Sequence, residues 1–230
     1  MIRNIYSFIL KRYIVITPLL LVLIVAQREE YSQLTTSGTF GAAIRLAIPI
    51  MLAGLGGLFS EKTGIVNIGL EGMMIMGTWF GAWGGFTYGA WQGVFIGMLG
   101  GALFGLIHAI ATVSFQVDHI VSGVAINILA AGVARFLNVI SFKDIAYASS
   151  TASPRITGEI GKMTVPFLAG GPINDEDTFN LFGNIENLDI FLMSDFAGFI
   201  LGFLSNISYL TIFALAIVPF SLMILWHTPI

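Results

Sequence analysis

The chain has 230 residues, of which 56% are hydrophobic and only 10% are charged, and its formal net charge is −3. A soluble domain carries roughly 25% charged residues, so this chain has too few charges to cover a water-facing surface. The composition therefore excludes an ordinary soluble protein and predicts an integral membrane protein. The lack of cysteine excludes disulfides and thiolate sites, and no basic patch indicates a nucleic-acid partner.

The N-terminal residues resemble a signal peptide, because Arg3, Lys11 and Arg12 precede the apolar run of residues 13–26. No small-residue cleavage pattern follows this run, and the chain continues with the polar sequence QREEYSQ. We therefore interpret the run as an uncleaved first membrane helix whose basic end lies in the cytoplasm.

Five further apolar runs predict membrane helices along the rest of the chain. They cover residues 40–59, 68–88, 91–115, 120–140 and 208–226. Together with the first helix, they predict an all-α fold: a polytopic transmembrane helical bundle with about six spans in one membrane domain, residues 1–230. Residues 190–204 are also apolar, and they are expected either to lie at the membrane surface or to re-enter it.

A polar segment at residues 141–195 separates the fifth predicted span from the sixth, and it is rich in proline and in acidic residues. Such a composition predicts a long loop with little regular structure. With a cytoplasmic N-terminus, this acidic loop is extracytoplasmic. It either docks a binding protein through complementary charge or is simply solvated, and solvation is the more common role of acidic loops.

The stretch GLFSEKTGIVNIGLEGMM, residues 57–74, concentrates glycines and charged residues between two apolar runs. Ionisable groups such as Glu61, Lys62 and Glu71 are costly in hydrocarbon, so they are expected to face protein, a partner charge or water. We predict a broken-helix or re-entrant segment near residues 59–72, where the backbone leaves the helix. The alternative is a short cytoplasmic hairpin with solvated charges.

Five residues are candidates for the substrate pathway. Asn67 and Glu71 lie in the charged stretch, and Asn67 either binds a polar ligand or caps the following helix. Glu61 is the other carboxylate of the stretch. Asn127 lies within an apolar span, where interhelical hydrogen bonding is the more common role than substrate binding. Trp79 either stacks on a nucleobase or belongs to the aromatic belt of the membrane interface.

Six glycines recur at intervals of four residues in the third and fourth predicted spans. This spacing lets helix backbones approach closely, so we expect the two ridges to pack against protein. The glycines are Gly77, Gly81, Gly85, Gly97, Gly101 and Gly105. Neither His108 nor His119 has the neighbours that a metal site needs, and we expect no metal or cofactor on this chain.

Three segments resemble the permease subunits of bacterial ABC importers of the branched-chain amino acid/ribose class, and most of all their nucleoside branch. They are AIPIMLAGLGGLFSEKTGIVNIGLEGMMIMGTWFGAW at residues 47–83, VDHIVSGVAINILAAGVARFL at 117–137, and ISYLTIFALAIVPFSLMILWHTPI at 207–230. The first 40 residues and residues 141–204 match that class poorly. In those permeases, a segment like HTPI leads into a cytoplasmic coupling loop and further helices, so the resemblance implies that this chain is C-terminally truncated.

The resemblance implies a multi-pass protein of the bacterial inner membrane that is not an enzyme. Its expected partners are a second related permease, a cytoplasmic ATPase that binds ATP and Mg²⁺, and an extracytoplasmic binding protein or lipoprotein. Two alternatives stay open: an ion-coupled secondary transporter with Glu61 or Glu71 as its cation site, and a non-transporting fragment. A membrane enzyme is disfavoured, because the sequence has no nucleophile elbow and no metal-ligand spacing.

Overall fold

The structure is a computed structural model, and it describes Thr17 and residues 32–143, 145, 149, 151–156, 158–188, 190 and 193–227. Apart from Thr17, the predicted first membrane helix at residues 13–26 lies outside these described residues. The described part of the chain is predominantly helical, and its strands are only two residues long.

Seven α-helices are present in the described residues. They are α1 Ser37–Lys62, α2 Leu70–Tyr88, α3 Ala90–Ala109, α4 His119–Ser141, α5 Leu181–Glu186, α6 Met193–Leu204 and α7 Tyr209–His227. A short 3₁₀-helix, Ser32–Thr35, precedes α1, and a π-helical turn, Ile110–Ser114, continues α3. Four strands form two antiparallel pairs, β1 Lys162–Met163 with β4 Ile207–Ser208 and β2 Pro172–Ile173 with β3 Glu176–Asp177.

Four of the described helical segments are long and apolar enough to cross a membrane: Ser37–Lys62, Ala90–Ser114, His119–Ser141 and Tyr209–His227. They match four of the predicted spans, and the predicted all-α membrane fold is confirmed. The predicted third span forms the 19-residue helix α2. It is not among these four segments, because Glu71 and its many glycines lower its mean hydropathy.

The apolar side chains on the outside of these helices are unusually exposed for a folded protein. Leu46 on α1 is 73% exposed, Ile128 on α4 is 71% exposed and Trp226 on α7 is 75% exposed. Large apolar surfaces of this kind mark contact with lipid or with other membrane helices. The exposure therefore agrees with the membrane assignment.

The apolar segment at residues 190–204 contains the helix α6, Met193–Leu204, which has 12 residues. At 1.5 Å per residue it is about 18 Å long, which is shorter than the roughly 30 Å hydrocarbon core of a bilayer. A single helix of this length does not cross a membrane. The described part of the loop at residues 141–195 contains only β1, β2, β3 and α5 before α6 begins, as its composition predicts.

The chain divides into two compact units. One, the loop unit, comprises residues 1–48 and 162–212, and the other, the bundle unit, comprises residues 49–161 and 213–230. The prediction of a single membrane domain stays a prediction. The bundle unit holds α2, α3 and α4, whereas the loop unit holds the start of α1, the two strand pairs, α5 and α6.

The core of the bundle unit lies between α2, α3 and α4. Its buried apolar residues are Met76, Phe104, Ile126 and Ala130. The helix α2 runs antiparallel to α3, since a Cβ built on Gly77 would approach Gly97 and one built on Gly81 would approach Gly93. It runs parallel to α4, because its first turn contacts Ile126 and Phe86 near its end packs against Phe142, the residue that follows α4.

The start of α1 is held by the loop unit. The carboxylate of Glu186, at the end of α5, accepts a 2.7 Å hydrogen bond from the backbone N–H of Ser37. The first N–H groups of a helix have no partner within the helix, and they carry a partial positive charge. One residue of the predicted acidic loop therefore caps a membrane helix. One turn into α1, Phe40 packs edge-to-face against Phe199 of α6, with ring centroids 5.2 Å apart.

Candidate functional site

The charged stretch divides between the end of α1, a seven-residue break at residues 63–69 and the first turn of α2. Gly64 has φ +83°, in the left-handed region that favours glycine. Its N–H donates to the Glu61 carbonyl at 3.0 Å, and the Ile65 N–H donates to the Ser60 carbonyl at 3.1 Å. These two bonds form a Schellman motif, which ends α1 and satisfies its last carbonyls.

The start of α2 is organised by Asn67. Its Oδ1 accepts a 3.0 Å hydrogen bond from the N–H of Gly69, the residue that precedes α2. Its Nδ2 lies 3.6 Å from the Sδ of Met73, one turn into the helix. The Gly69 N–H precedes the first turn of α2, so this bond forms a turn beside the helix start and does not cap an N–H of the helix itself. The two roles that the sequence left open for Asn67, ligand binding and capping, stay predictions.

Asn127 of α4 joins the break to the first turn of α2. Its Oδ1 accepts a 2.7 Å hydrogen bond from the N–H of Gly72, and its Nδ2 donates to the carbonyl of Ile68 at 3.0 Å. The Gly72 N–H is one of the helix-start donors that no carbonyl of the same helix can reach. The Asn127 side chain therefore satisfies the Gly72 donor within the first turn of α2 and the Ile68 acceptor just before the helix. We call this pair of hydrogen bonds the Asn127 clamp.

The backbones of the break and of α4 approach each other closely at glycines. A Cβ built on Gly123 would lie 2.8 Å from the Gly69 nitrogen, and one built on Gly72 would lie 2.8 Å from the Ile126 carbonyl oxygen. Asn127 lies about 12 Å along α4 from its first residue, on a helix about 35 Å long. The break accordingly runs beside the first third of α4, near one end of the bundle and not at its middle.

A groove opens along α2 and α4 from this point, and its cavity volume is about 720 Å³. Residues 71–82 of α2 form one wall, residues 131–138 of α4 form the other, and residues 151–153 close part of it. Asn127 lies one turn before Ala131 on the same side of α4. The Asn127 clamp is therefore at the end of the groove where α2 begins. Small-molecule sites have volumes of about 300–1,000 Å³, and the groove falls within this range.

The groove carries an acid, a base and an aromatic wall. Glu71, in the first turn of α2, is exposed to it, and Arg135 lines it further along α4. Trp79 also lines the groove, and its ring is nearly parallel to that of Trp83, with centroids 6.2 Å apart. The Trp79 indole N–H is buried and has no hydrogen-bond partner in the described part of the chain. The groove thus offers an anionic acceptor, a cationic donor and a flat apolar face.

Sequence reasoning missed two groove residues on α4, Arg135 and Asn138. An arginine within an apolar helix is itself a signal for a functional site, and that signal was present at Arg135. Asn138 is buried, and its Nδ2 donates to the Ser149 carbonyl at 3.0 Å. This bond ties the segment that includes Thr151 to α4, and no sequence pattern predicts it because the two elements meet only in the fold.

The five predicted pathway residues do not all come together. Glu71 and Trp79 line the groove, Asn127 lies at the end of the groove where α2 begins, and Asn67 lies in the adjoining break. Glu61 is exposed in the last turn of α1 and does not line the groove.

The predicted glycine ridges face each other between α2 and α3. Cβ atoms built on Gly77 and Gly81 would lie 3.2 and 3.5 Å from the carbonyl oxygens of Gly97 and Gly93. One built on Gly101 would lie 3.4 Å from the Met73 carbonyl oxygen, and one on Gly105 would lie 3.8 Å from the Met73 Sδ. Gly85 lies at the same interface, opposite Gly93.

The histidines do not form a metal centre in the described part of the chain. His108 is buried, and its Nδ1 shares a 2.9 Å hydrogen bond with the Ser122 hydroxyl of α4. No group of three or more His, Cys, Asp or Glu side chains among the described residues is arranged to hold a metal ion. The interaction of His108 therefore joins α3 to α4.

Comparison with known proteins decides the family. A family model described as "Branched-chain amino acid transport system / permease component" matches residues 39–230. The chain belongs to this permease family. Membership confirms the resemblance, and it shows a transport component and a multi-pass membrane protein, in agreement with the apolar helices.

Several curated proteins are similar to this permease. The guanosine ABC transporter permease protein NupQ of Bacillus subtilis is 35% identical over 196 residues, which are 82% of this chain and 51% of NupQ. The nucleoside ABC transporter permease protein NupC of Lactococcus lactis is 37% identical over 134 residues, which are 54% of this chain and 39% of NupC. A putative glucose ABC transporter permease protein of Haloferax volcanii, TsgC13, is 32% identical over 137 residues, which are 57% of this chain and 37% of TsgC13.

The matched part of the chain spans about half the length of NupQ and less of the other two relatives. No solved structure matches the chain significantly. Two of the three relatives are named as nucleoside or guanosine permeases, which agrees with the branch that the sequence segments resemble.

Proposed function

We propose that this permease forms part of the translocation pathway of an ATP-binding-cassette importer for nucleosides. The observation that carries the proposal is the groove between α2 and α4, which brings Glu71, Trp79 and Arg135 together in a chain of the permease family. The names of two similar proteins, a guanosine permease and a nucleoside permease, support the substrate class.

The chemistry of the groove suits a nucleoside. A nucleobase has a flat face that stacks on an aromatic ring, and Trp79 supplies such a ring on the groove wall. The Glu71 carboxylate is a hydrogen-bond acceptor for ribose hydroxyls or for base N–H groups. Arg135 donates to carbonyl or ring-nitrogen acceptors from the opposite helix. A neutral solute of this kind needs both donors and acceptors, and the groove presents both.

The proposed complex contains other chains. This permease pairs with a second related permease, and both dock on a cytoplasmic ATPase that binds ATP and Mg²⁺. An extracytoplasmic binding protein or lipoprotein delivers the nucleoside. The chain lies in the bacterial inner membrane with its N-terminus in the cytoplasm. It performs no covalent chemistry itself, and its groove opens to the two sides of the membrane in turn.

The position of the break suits such a movement. Among the described residues, the side-chain hydrogen bonds recorded between the start of α2 and α4 are those of Asn127, beside close backbone approaches at Gly69 and Gly72. By contrast, α2 and α3 are joined along a ridge of glycines. We therefore infer that α2 and α3 move together and that the Asn127 contact is where α2 and α4 separate. Helix pairs that shift as rigid bodies about a small contact are a common device in transporters.

The test is uptake of labelled guanosine by cells that lack their own nucleoside importers and express this chain with its three proposed partners. We expect uptake that disappears when the ATPase cannot hydrolyse ATP and that persists after a protonophore pulse under conditions that maintain cellular ATP. Uptake that ignores the ATPase variant but stops when the membrane potential collapses would favour the ion-coupled alternative. Saturable uptake of glucose without any uptake of guanosine would overturn the nucleoside assignment.

A further inference from the structure

A second cavity lies in the loop unit, apart from the groove residues, and it has a volume of about 460 Å³. The start of α1 lines one side, and Lys162 with residues 205–208 lines the other. Lys162 of β1 pairs with Ser208 of β4, and Ser208 is followed directly by α7. Two membrane-spanning helices, α1 and α7, therefore begin at this cavity, which we name the basic pocket.

The described residues that line the basic pocket carry positive charge. Arg45 and Lys162 both line it, and no acidic residue of the described part of the chain does. The Arg45 guanidinium folds back toward the start of α1, since its Nη1 lies 3.4 Å from a Cβ built on Gly41, one turn earlier. A basic side chain that turns toward a helix end in this way brings its charge to the membrane boundary.

Neither cation is neutralised within the described residues. The structure records no ion pair or hydrogen bond for the side chains of Arg45 or Lys162 in the part of the chain that it describes. The nearest carboxylate known to touch a lining residue is that of Glu186, and it is bound to the Ser37 N–H at 2.7 Å. Two like charges beside one cavity, with no carboxylate among its described lining residues, favour an anion between them.

Neutral donors complete the pocket. The Ser208 hydroxyl oxygen accepts from the Leu210 N–H at 3.3 Å, which leaves its own proton free to donate to a ligand. Ser205 and Asn206 line the same wall, and the Asn206 amide contacts the Ser205 hydroxyl at 3.4 Å. The start of α7 adds a partial positive charge, whereas that of α1 is already bound by the Glu186 carboxylate.

We propose that the basic pocket binds a phosphate group, either as free phosphate or as the headgroup of an anionic lipid. Phosphate has several acceptor oxygens in a tetrahedral arrangement, which suits an arginine, a lysine and hydroxyl donors that approach from different elements. The position at the starts of two membrane-spanning helices makes a lipid headgroup a natural source of this group. The basic pocket shares no lining residue with the groove, and the proposal does not depend on the substrate of the importer.

The test uses the purified chain, freed of lipid in a neutral detergent, and two probes. Phosphatidylglycerol binding is counted by native mass spectrometry, and inorganic phosphate binding is measured by calorimetry. The pocket variant is Arg45→Gln with Lys162→Gln. The matched control is Lys143→Gln with Arg155→Gln, which removes the same charge from exposed residues outside the pocket.

We expect at least one probe to bind the unchanged chain and the control equally, and the pocket variant to bind it at least tenfold more weakly. Binding of phosphatidylglycerol alone identifies a lipid site, and binding of both probes identifies a general phosphate site. Failure of both probes to bind the unchanged chain, or equal loss in the control, overturns the proposal. Lys162→Gln alone changes one exposed side chain of a two-residue strand. Binding of the same probes to this single variant is measured if the double variant does not fold.

Discussion

The side chain of Asn127 accepts a 2.7 Å hydrogen bond from the backbone N–H of Gly72, across 55 residues of sequence. The same side chain donates to the Ile68 carbonyl, so a residue of α4 holds the backbone on both sides of the start of α2. The chain uses a distant amide for this purpose because the residue that precedes α2 is Gly69, which has no side chain to cap the helix.

Asn127→Leu should destabilise the protein while keeping its helix content. The substitution leaves the N–H of the buried Gly72 without its partner, and an unsatisfied buried group of this kind costs about 1–3 kcal/mol. The readout is thermal unfolding in detergent, followed by circular dichroism. Ile128→Leu changes the neighbouring exposed residue and should leave the midpoint unchanged. Identical midpoints for the two variants would show that the clamp contributes nothing.

Gly97→Ala should weaken the packing of α2 on α3. The added methyl would lie 2.9 Å from the Gly77 carbonyl oxygen and 3.1 Å from the Gly81 Cα, and both are backbone atoms that cannot move aside alone. Overpacking of this kind costs about 1–3 kcal/mol, which thermal unfolding in detergent detects.

The control for this interface is Gly132→Ala on α4, where a Cβ would meet no atom within 4 Å. Alanine favours helix over glycine by about 1 kcal/mol, so this variant should be as stable as the unchanged chain or slightly more so. If both alanines behave alike, the close approach of the two ridges is not what stabilises α2 against α3.

Glu186→Gln should lower the stability of the start of α1. The carboxylate accepts from the Ser37 N–H, and a negative charge at a helix start stabilises it by about 1 kcal/mol. Glu176→Gln removes an equal charge from an exposed strand of the same acidic loop and should have no effect on unfolding. Equal effects of the two substitutions would mean that the net charge of the loop, and not the Glu186 cap, determines the stability of the start of α1.

The helices that cross the membrane could be predicted because their apolar runs are long and continuous. Residues 91–115 and 120–140 correspond closely to Ala90–Ser114 and His119–Ser141. The sequence also predicted that the helix is interrupted near residues 59–72, and the structure places the interruption at residues 63–69, where Gly64 adopts the positive φ of a helix cap.

The rest depends on contacts between distant parts of the chain. The partners of Asn127 are 55 and 59 residues away, and Glu186 reaches Ser37 across 149 residues. Hydropathy and spacing describe only residues that are close in sequence. They therefore predicted a membrane helix around Asn127 and a loop around Glu186, but they did not predict the hydrogen bonds that these two side chains make. Arg135 is different, because its charge within an apolar helix was visible in the sequence and only its place in the groove came from the fold.

Glu71→Ala should reduce guanosine uptake without reducing the amount of protein in the membrane. A hydrogen bond to a charged group is worth about 1.5–3 kcal/mol, which corresponds to a rise in KM of about tenfold or more. Glu61→Ala removes the other carboxylate of the charged stretch, which lies outside the groove, and should leave KM unchanged. A larger effect at Glu61 than at Glu71 would place the pathway away from the groove.

The most direct test of the central claim, that the groove between α2 and α4 receives the nucleoside, is thiol protection. The chain has no cysteine, so Thr78→Cys introduces a single thiol on the groove wall, and Gln92→Cys introduces one on an exposed position of α3 outside it. Each variant is assembled with its partners and treated with a charged thiol reagent, and labelling of this chain is measured by mass spectrometry. We predict that guanosine slows labelling of the Thr78→Cys variant but not of the Gln92→Cys variant. Equal labelling rates with and without guanosine in the Thr78→Cys variant, under conditions in which guanosine is transported, would contradict the account.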